Sequence, residues 1–251
     1  MNIAIRSPLL AAAALAAAIV SATPATAAVD CCLLPNTTVT GFVNDDVLAV
    51  GCSCTIAASA NVNGNVSQQL DGNLVVRGRV NGGVEESGLG NLTIARGIVG
   101  GDCTELDGGS LTVNAGSNLN GGLFESGPGS VVVTATAAGP AKGDIEESGP
   151  GLVRVTVLSG AYEGSVVELD GGDVAAQLAA GSAFKGNIVE TGPGNASAVV
   201  EGVFEGGITE LGTGDLTTSG AGLFKGNTEH EVPGVCVNTI AAFEGSACNP
   251  L

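Results

Sequence analysis

One pattern of hydrophobic and polar positions recurs along most of the chain, most clearly at residues 142–162, 185–204 and 205–224. A small or charged residue and a glycine are followed by an aliphatic residue, a glycine-rich corner, an alternating stretch and a closing apolar residue. The unit recurs about nine times at a spacing of about 18–22 residues, which is typical of a solenoid with one coil per repeat. Stretches such as 111–113 and 153–157 alternate β-branched residues with period two, which predicts strands.

The glycine-rich corners read SGPG at 126–129 and 148–151, and TGPG at 191–194. Proline favours the second position of a turn and the following glycine supplies a positive φ, so these corners predict type II turns. The frequent glycines disfavour helices, since each costs about 1 kcal/mol relative to alanine in a helix interior. The predicted fold is therefore all-β. It is a right-handed parallel β-helix (β-solenoid) of about ten coils of roughly 18–22 residues, stacked about 4.8 Å apart and closed by disulfide-stapled caps.

The chain is expected to divide into a signal peptide (1–28), an N-terminal cap with a degenerate first coil (29–62), the repeat array (63–243) and a C-terminal cap (244–251). The first segment contains Arg6, an apolar run at 9–20 and Ala-Thr-Ala at 25–27, which are the features of an export signal. Its apolar run is too short and too rich in alanine to predict a membrane span. The core of the first coil is expected to contain Phe42, Val47, Val50 and Ile56.

The composition agrees with a narrow solenoid core. Hydrophobic residues make up 44% of the chain but aromatic residues only 3%, and there are 41 glycines. Small and medium aliphatic side chains stacked in columns would suffice to fill such a core. The net charge of −17 and the pI of about 4.1 argue against nucleic-acid binding, which requires a basic surface, and against attraction to anionic membranes.

The seven cysteines fall into two groups. Cys103 occupies the same repeat position as Val84 and Leu123, so we expect a buried thiol there. The other six are expected to form three disulfides near the two ends of the solenoid. One bridge joins Cys236 to Cys248, and Cys31 and Cys32 pair with Cys52 and Cys54 in an order left open. A metal site at these cysteines is the weaker alternative, because the usual ligand spacing and a nearby histidine are missing.

Equivalent repeat positions become columns in a solenoid, and two of them carry charge. One column is expected to alternate in sign on the surface and to fix the register of the coils. It contains Lys142, Glu163, Lys185, Glu205, Lys225 and Glu244.

The second charged column is a run of seven glutamates, preceded by Gln68 and followed by His230. It contains Glu86, Glu105, Glu125, Glu147, Glu168, Glu190 and Glu210. Carboxylates stacked at strand spacing repel one another, so they need compensation. The interpretation favoured here is that they accept hydrogen bonds from the glycine-rich corners or point into water, and His230 is expected on the surface beside them. The alternative is a column of weak Ca²⁺ sites shared between adjacent coils, which would be the chain's single cofactor.

The closing apolar residues of the later repeats are aromatic, and they are Tyr162, Phe184, Phe204, Phe224 and Phe243. They replace Val80, Val99 and Leu119 at the same repeat position, which indicates stacked core residues rather than a sugar-binding platform. His230 is the only histidine, which excludes the usual histidine-dependent catalytic triad.

The stretches GNLVVRGRVNGGV at 72–84 and GSAFKGNI at 181–188 resemble the coils of bactofilins, which are polymer-forming bacterial β-helix proteins. The resemblance covers the repeat array only. It implies a short-coil β-helix whose ends stack into filaments. The chain departs from the family in its export signal and its cysteine-rich ends, and both put end-to-end polymerisation in question.

These observations predict a secreted or cell-surface, non-catalytic structural or adhesive β-solenoid that can self-associate or bind an extracellular polymer. The periplasm is the alternative location. The alternative function is an extracellular β-helix protein that binds or cleaves polysaccharides, because carboxylate-lined solenoid faces can hold Ca²⁺ and acidic sugars. Cleavage is the weaker form of this alternative, since lysine and arginine are scarce.

Overall fold

The computed structural model describes residues 28–139, 141–231 and 233–250, so the predicted signal peptide lies outside them except for residue 28. The chain forms a parallel β-solenoid of about 11 coils, one more than the number expected. No α-helix occurs in the described ranges, and two short 3-10 helices, Cys31–Leu33 and Pro35–Thr37, lie beside the first coil. The right-handed winding stays a prediction.

Each coil contributes strands to three faces, and every strand pairs in parallel with its equivalents in the neighbouring coils. The first face has twelve strands: Val29–Asp30, Val47–Val50, Val66–Gln69, Val84–Ser87, Cys103–Leu106, Leu123–Ser126, Ile145–Glu147, Val166–Glu168, Ile188–Glu190, Ile208–Glu210, Thr228–His230 and Asn249–Pro250.

The second face consists of Thr38–Val39, Cys54–Ile56, Leu74–Val76, Leu92–Ile94, Leu111–Val113, Val131–Ala135, Leu152–Val157, Asp173–Leu178 and Ala196–Val200. The third face consists of Phe42–Val43, Asn61–Val62, Arg79–Val80, Ile98–Val99, Asn118–Leu119, Ala141–Lys142, Gly160–Glu163, Ser182–Lys185 and Val203–Glu205. Two long strands, Leu216–Lys225 and Cys236–Glu244, continue both of these faces.

The core is a set of inward columns made by the alternation within each strand. The aliphatic column expected on the first face is confirmed, because its members are buried and pair in register. The prediction for the first coil was half right, since Val47 and Ile56 are buried but Phe42 and Val50 are 62% and 47% exposed. Ala49 points inward, so Val50 must point outward, and Phe42 pairs with the outward position of Asn61.

The predicted type II turns are wrong. Gly129 follows Pro128 but lacks the φ of about +80° that such a turn requires. The glycine is needed for another reason, because a Cβ atom built on Gly129 would lie 1.5 Å from the carbonyl oxygen of Gly109 in the preceding coil. Close stacking of consecutive corners therefore selects glycine here.

Disulfides lie near both ends, and all seven cysteines are among the described residues. Cys31 is joined to Cys54 and Cys32 to Cys52, which resolves the order that the sequence left open. Cys236 is joined to Cys248. Cys103 remains a buried thiol, and burial raises its pKa to about 12, so it is protonated at neutral pH.

Candidate functional site

The seven glutamates of the sequence pattern lie inside the solenoid, and we call them the glutamate column. Each follows a buried apolar residue by two positions, aliphatic in six members and Cys103 before Glu105, so strand alternation turns both side chains into the core, as for Val84 and Glu86. Strand register then stacks every glutamate on the next one along the first face. All seven are only 0–2% exposed, so the alternative that they point into water is wrong.

One carboxylate oxygen of five column members accepts hydrogen bonds from backbone N–H groups of the adjoining corner. In Glu105 and Glu125, Oε1 accepts from Gly109 and Gly129 at 2.7 and 3.1 Å. Glu168 Oε1 accepts three such bonds, at 2.8–3.1 Å, from residues 170–172. Glu190 and Glu210 each accept two. The corner thus supplies the backbone donors that the sequence suggested.

The glycines of the corner leave room for these carboxyl groups. A Cβ atom on Gly129 would lie 2.5 Å from Glu125 Oε1, and one on Gly109 would lie 2.7 Å from Glu105 Oε1. The glutamate and the corner glycine four residues later therefore act as a pair. Replacing the glycine would close the space that the buried carboxyl group occupies.

The other oxygen, Oε2, has no hydrogen-bond partner in any column member, and in Glu86 and Glu147 neither oxygen has one. Burial, together with interactions with the neighbouring glutamates, raises the pKa of Glu105 to about 8, of Glu147 to about 9 and of Glu190 to about 8. Burial likewise raises the pKa of Glu86. An ionised carboxylate without a partner is very costly in such an environment, so such groups tend to become neutral.

The residues at the two ends of the column are also buried. Gln68 stacks on Glu86, and its Nε2 donates to the carbonyl oxygens of Gln69 and Leu70, both at 3.1 Å. Its Oε1 is left without a partner. His230 stacks on Glu210 with its Nε2 3.9 Å from Oε2, and it is 5% exposed. The prediction of a surface histidine was wrong, because His230 occupies the same inward-facing strand position as the glutamates.

The two other predicted columns are present. In the charge column, Glu163 lies between Lys142 and Lys185 at 3.0 and 3.8 Å, and Lys225 lies 3.6 Å from Glu205. Ion pairing with Lys142 and the charge of Lys185 lower the pKa of Glu163. These side chains are about half exposed, so they align the coils with little energetic gain.

The aromatic column is stacked core, as expected. Its consecutive ring centroids are 4.7–5.1 Å apart. The Tyr162 hydroxyl donates to the carbonyl oxygen of Gly143 at 2.6 Å, which satisfies its buried polar end. Phe243, in the last long strand, is only partly buried, so the column exposes one ring face there.

A shallow groove of about 780 Å³, which the sequence pattern did not predict, lies at the corner between the second and third faces. Arg77 and Arg96 lie on it, over a floor that includes Ala58, Ala95 and Ala115. These arginines follow the second-face strands of adjacent coils, in the stretches LVVR and LTIAR. That recurrence is the signal that could have revealed them. In an acidic chain the two guanidinium groups make this groove locally basic.

No group of three or more His, Cys, Asp or Glu side chains in the described ranges is arranged to hold a metal ion. The Ca²⁺ column therefore stays a prediction. No helix of the described segments is long and apolar enough to cross a membrane. No family model, curated protein or solved structure matches the chain, so the bactofilin resemblance remains one of repeat pattern and short-coil architecture.

Proposed function

We propose that this protein is an exported, non-catalytic structural rod. The observation that carries the proposal is the uninterrupted parallel pairing of the first face, from Val29–Asp30 to Asn249–Pro250. Three kinds of side-chain column run along the solenoid axis and hold successive coils together: an aliphatic column, an aromatic column and a column of alternating charge. Disulfides near both ends support an oxidising, extracellular setting.

Small-angle scattering and electron microscopy of the protein lacking the signal peptide test the rod. About 11 coils at about 4.8 Å give a stiff particle roughly 50 Å long. Its length should stay constant between low and high salt. A compact or salt-dependent shape would contradict the proposal, as would hydrolysis or eliminative cleavage of polysaccharides in an activity screen.

Self-association of the rod would take place at its last coil. Among the described strands, Cys236–Glu244 pairs along one edge only, with Leu216–Lys225, and Ile240 and Phe243 are only partly buried there. Unpaired edges add strands readily, and a second copy offers the same aromatic stacking surface. The resemblance to bactofilin coils adds support.

Sedimentation velocity over a range of concentrations tests this association. Association should increase with concentration and be lost in Phe243→Lys, but not in Leu89→Lys, which changes a 73% exposed corner residue. Equal behaviour of the two variants would remove the last coil from the proposal.

A second candidate function is binding of an acidic polysaccharide, and the groove with Arg77 and Arg96 favours it. Uronate carboxylates match paired guanidinium groups, while the alanine floor suits the apolar faces of sugar rings. A glycan array should then show binding to polyuronates that is lost in Arg77→Ala/Arg96→Ala. The matched control is Arg154→Ala, which removes an exposed arginine of the second face elsewhere. Equal binding by all variants would reject the groove.

A further inference from the structure

Within the described ranges, no permanently cationic side chain is paired with the buried carboxyl groups of the glutamate column to balance negative charge. Seven carboxyl groups are buried together, and the ion pairs of the described residues give them no lysine or arginine partner. The charges acting on them are acidic too, namely Asp71 and Asp107 on Glu86 and the neighbouring glutamates elsewhere. Among the described residues, His230 is the one basic side chain that the ion pairs place against the column, beside Glu210.

Gln68 provides independent evidence about the missing partner. Both neighbours of its Nε2 are carbonyl oxygens, so the amide orientation is fixed and its buried Oε1 can only accept. The residue stacked on Gln68 is Glu86, whose two oxygens both lack a partner. If Glu86 were ionised, its carboxylate oxygens would face Gln68 Oε1, and neither group could donate a hydrogen bond to the other. A protonated Glu86 would instead donate its O–H to Gln68.

The same logic continues along the first face. Each Oε2 lacks a donor, and the next carboxyl group lies one coil away, about 4.8 Å in strand spacing. If every glutamate carries a proton, each can donate to its neighbour on the Gln68 side. At the far end, His230 Nε2 lies 3.9 Å from Glu210 Oε2 and has no hydrogen-bond partner of its own. All members share one direction, with Gln68 as the terminal acceptor.

We propose that the glutamate column is a proton-binding site: a one-directional chain of carboxylic acids that run from His230 to Gln68 and take up protons when the rod folds. No covalent bond other than O–H is involved. The protons come from water on folding and return to it on unfolding. The rod is thereby stabilised in acid and weakened in alkali, which is opposite to most proteins with many carboxylates.

The sign of the pH dependence follows from linkage. The folded pKa values of Glu105, Glu147 and Glu190, about 8 to 9, lie above the ordinary value of 4.5. Below pH 4.5 both states are protonated and the full stabilisation is present. Between pH 4.5 and about 9 only the folded state keeps these protons, so the melting temperature should fall as pH rises.

The direct test counts protons. Calorimetric unfolding at pH 7 in buffers of different ionisation enthalpy gives the number of protons released per chain. We expect more than three, because the chain places one proton on each of the seven column members and carboxyl groups are ionised in the unfolded protein at pH 7. Three or fewer would overturn the one-directional chain. The protein should carry its disulfides intact, so that only folding is measured.

The matched variants are Glu147→Gln and Glu146→Gln. Glu147 is a column member, whereas Glu146 is adjacent and exposed. Glu147→Gln should release about one proton fewer and flatten the fall of melting temperature between pH 5 and 9, because a neutral amide replaces an acid of the same size. Glu146→Gln should leave both quantities at the parent values. An unchanged proton count in Glu147→Gln would contradict the chain.

Metal cations bound to the glutamate column are the alternative to protons, and the same protein samples can test for them. Elemental analysis after dialysis against a chelator should find less than one metal ion per chain, with the melting temperature unchanged. Added millimolar Ca²⁺ should act no differently from NaCl of equal ionic strength. A chelator-dependent loss of stability that Ca²⁺ restores would overturn the proton chain and establish the Ca²⁺ column instead.

Discussion

Gly129 makes the steric requirement of the corner testable at the scale of a residue. A Cβ at this position would meet Glu125 Oε1 and the backbone carbonyl oxygen of Gly109, and that carbonyl cannot move without opening the coil stack. We expect Gly129→Ala to destabilise the rod by about 3 kcal/mol or more. In Gly181→Ala, the new Cβ meets open space and the cost is the positive φ alone, about 1 kcal/mol. Denaturant midpoints of the two variants compare them, and equal losses would show that packing does not select Gly129.

The assignment of inward-facing and outward-facing positions can be tested at two neighbouring residues of one strand. Ile145 is fully buried and stacked between Leu123 and Val166. Ile145→Asp should cost about 3–5 kcal/mol, because it adds an unpartnered carboxylate to a column of aliphatic side chains. Glu146→Asp, on the exposed side of the same strand, should shift the unfolding midpoint by less than about 0.5 kcal/mol. Similar shifts would place the register one residue away from the structure.

The aromatic column can be tested as a stabilising element. Phe204 is fully buried, with ring centroids 4.8 Å from Phe184 and 4.7 Å from Phe224. Phe204→Ala should destabilise the rod by about 3–5 kcal/mol, because a cavity opens between two rings that cannot collapse together. Phe42→Ala removes an exposed ring and should cost less than about 0.5 kcal/mol. A small loss at Phe204 would mean that the coils rearrange around the gap.

The repeat explains which elements could be predicted from sequence. Inside the array, the inward-facing positions recur in every coil. Assigning the wrong alternate residues of one strand to the core would therefore conflict with the equivalent strands of the neighbouring coils. The first coil has no such internal comparison, and there Phe42 and Val50 were placed inward wrongly. The burial of the glutamates was missed because carboxylates are rarely buried without a partner. Their constant position, two residues after a buried aliphatic such as Val84, was the signal of inward parity.

At the scale of the whole molecule, stability should vary along the rod. Each coil contacts only its neighbours, so the free energy of opening depends on how well each end is closed. At the first coils, Cys31–Cys54 and Cys32–Cys52 link one coil to the next over 23 and 20 residues. At the other end, Cys236–Cys248 spans 12 residues and leaves Phe243 partly buried.

Hydrogen exchange should therefore be slowest in the central coils and fastest in the strand Cys236–Glu244, with the first coils between them. Mass spectrometry of peptides from the intact, oxidised protein measures this order. Reduction and alkylation of the cysteines should lower protection in the first coils more than in the last, because two long-range cross-links are lost there and one short one at the other end. Uniform exchange along the rod, or faster exchange in the first coils than in the last while the disulfides are intact, would contradict opening from the last coil.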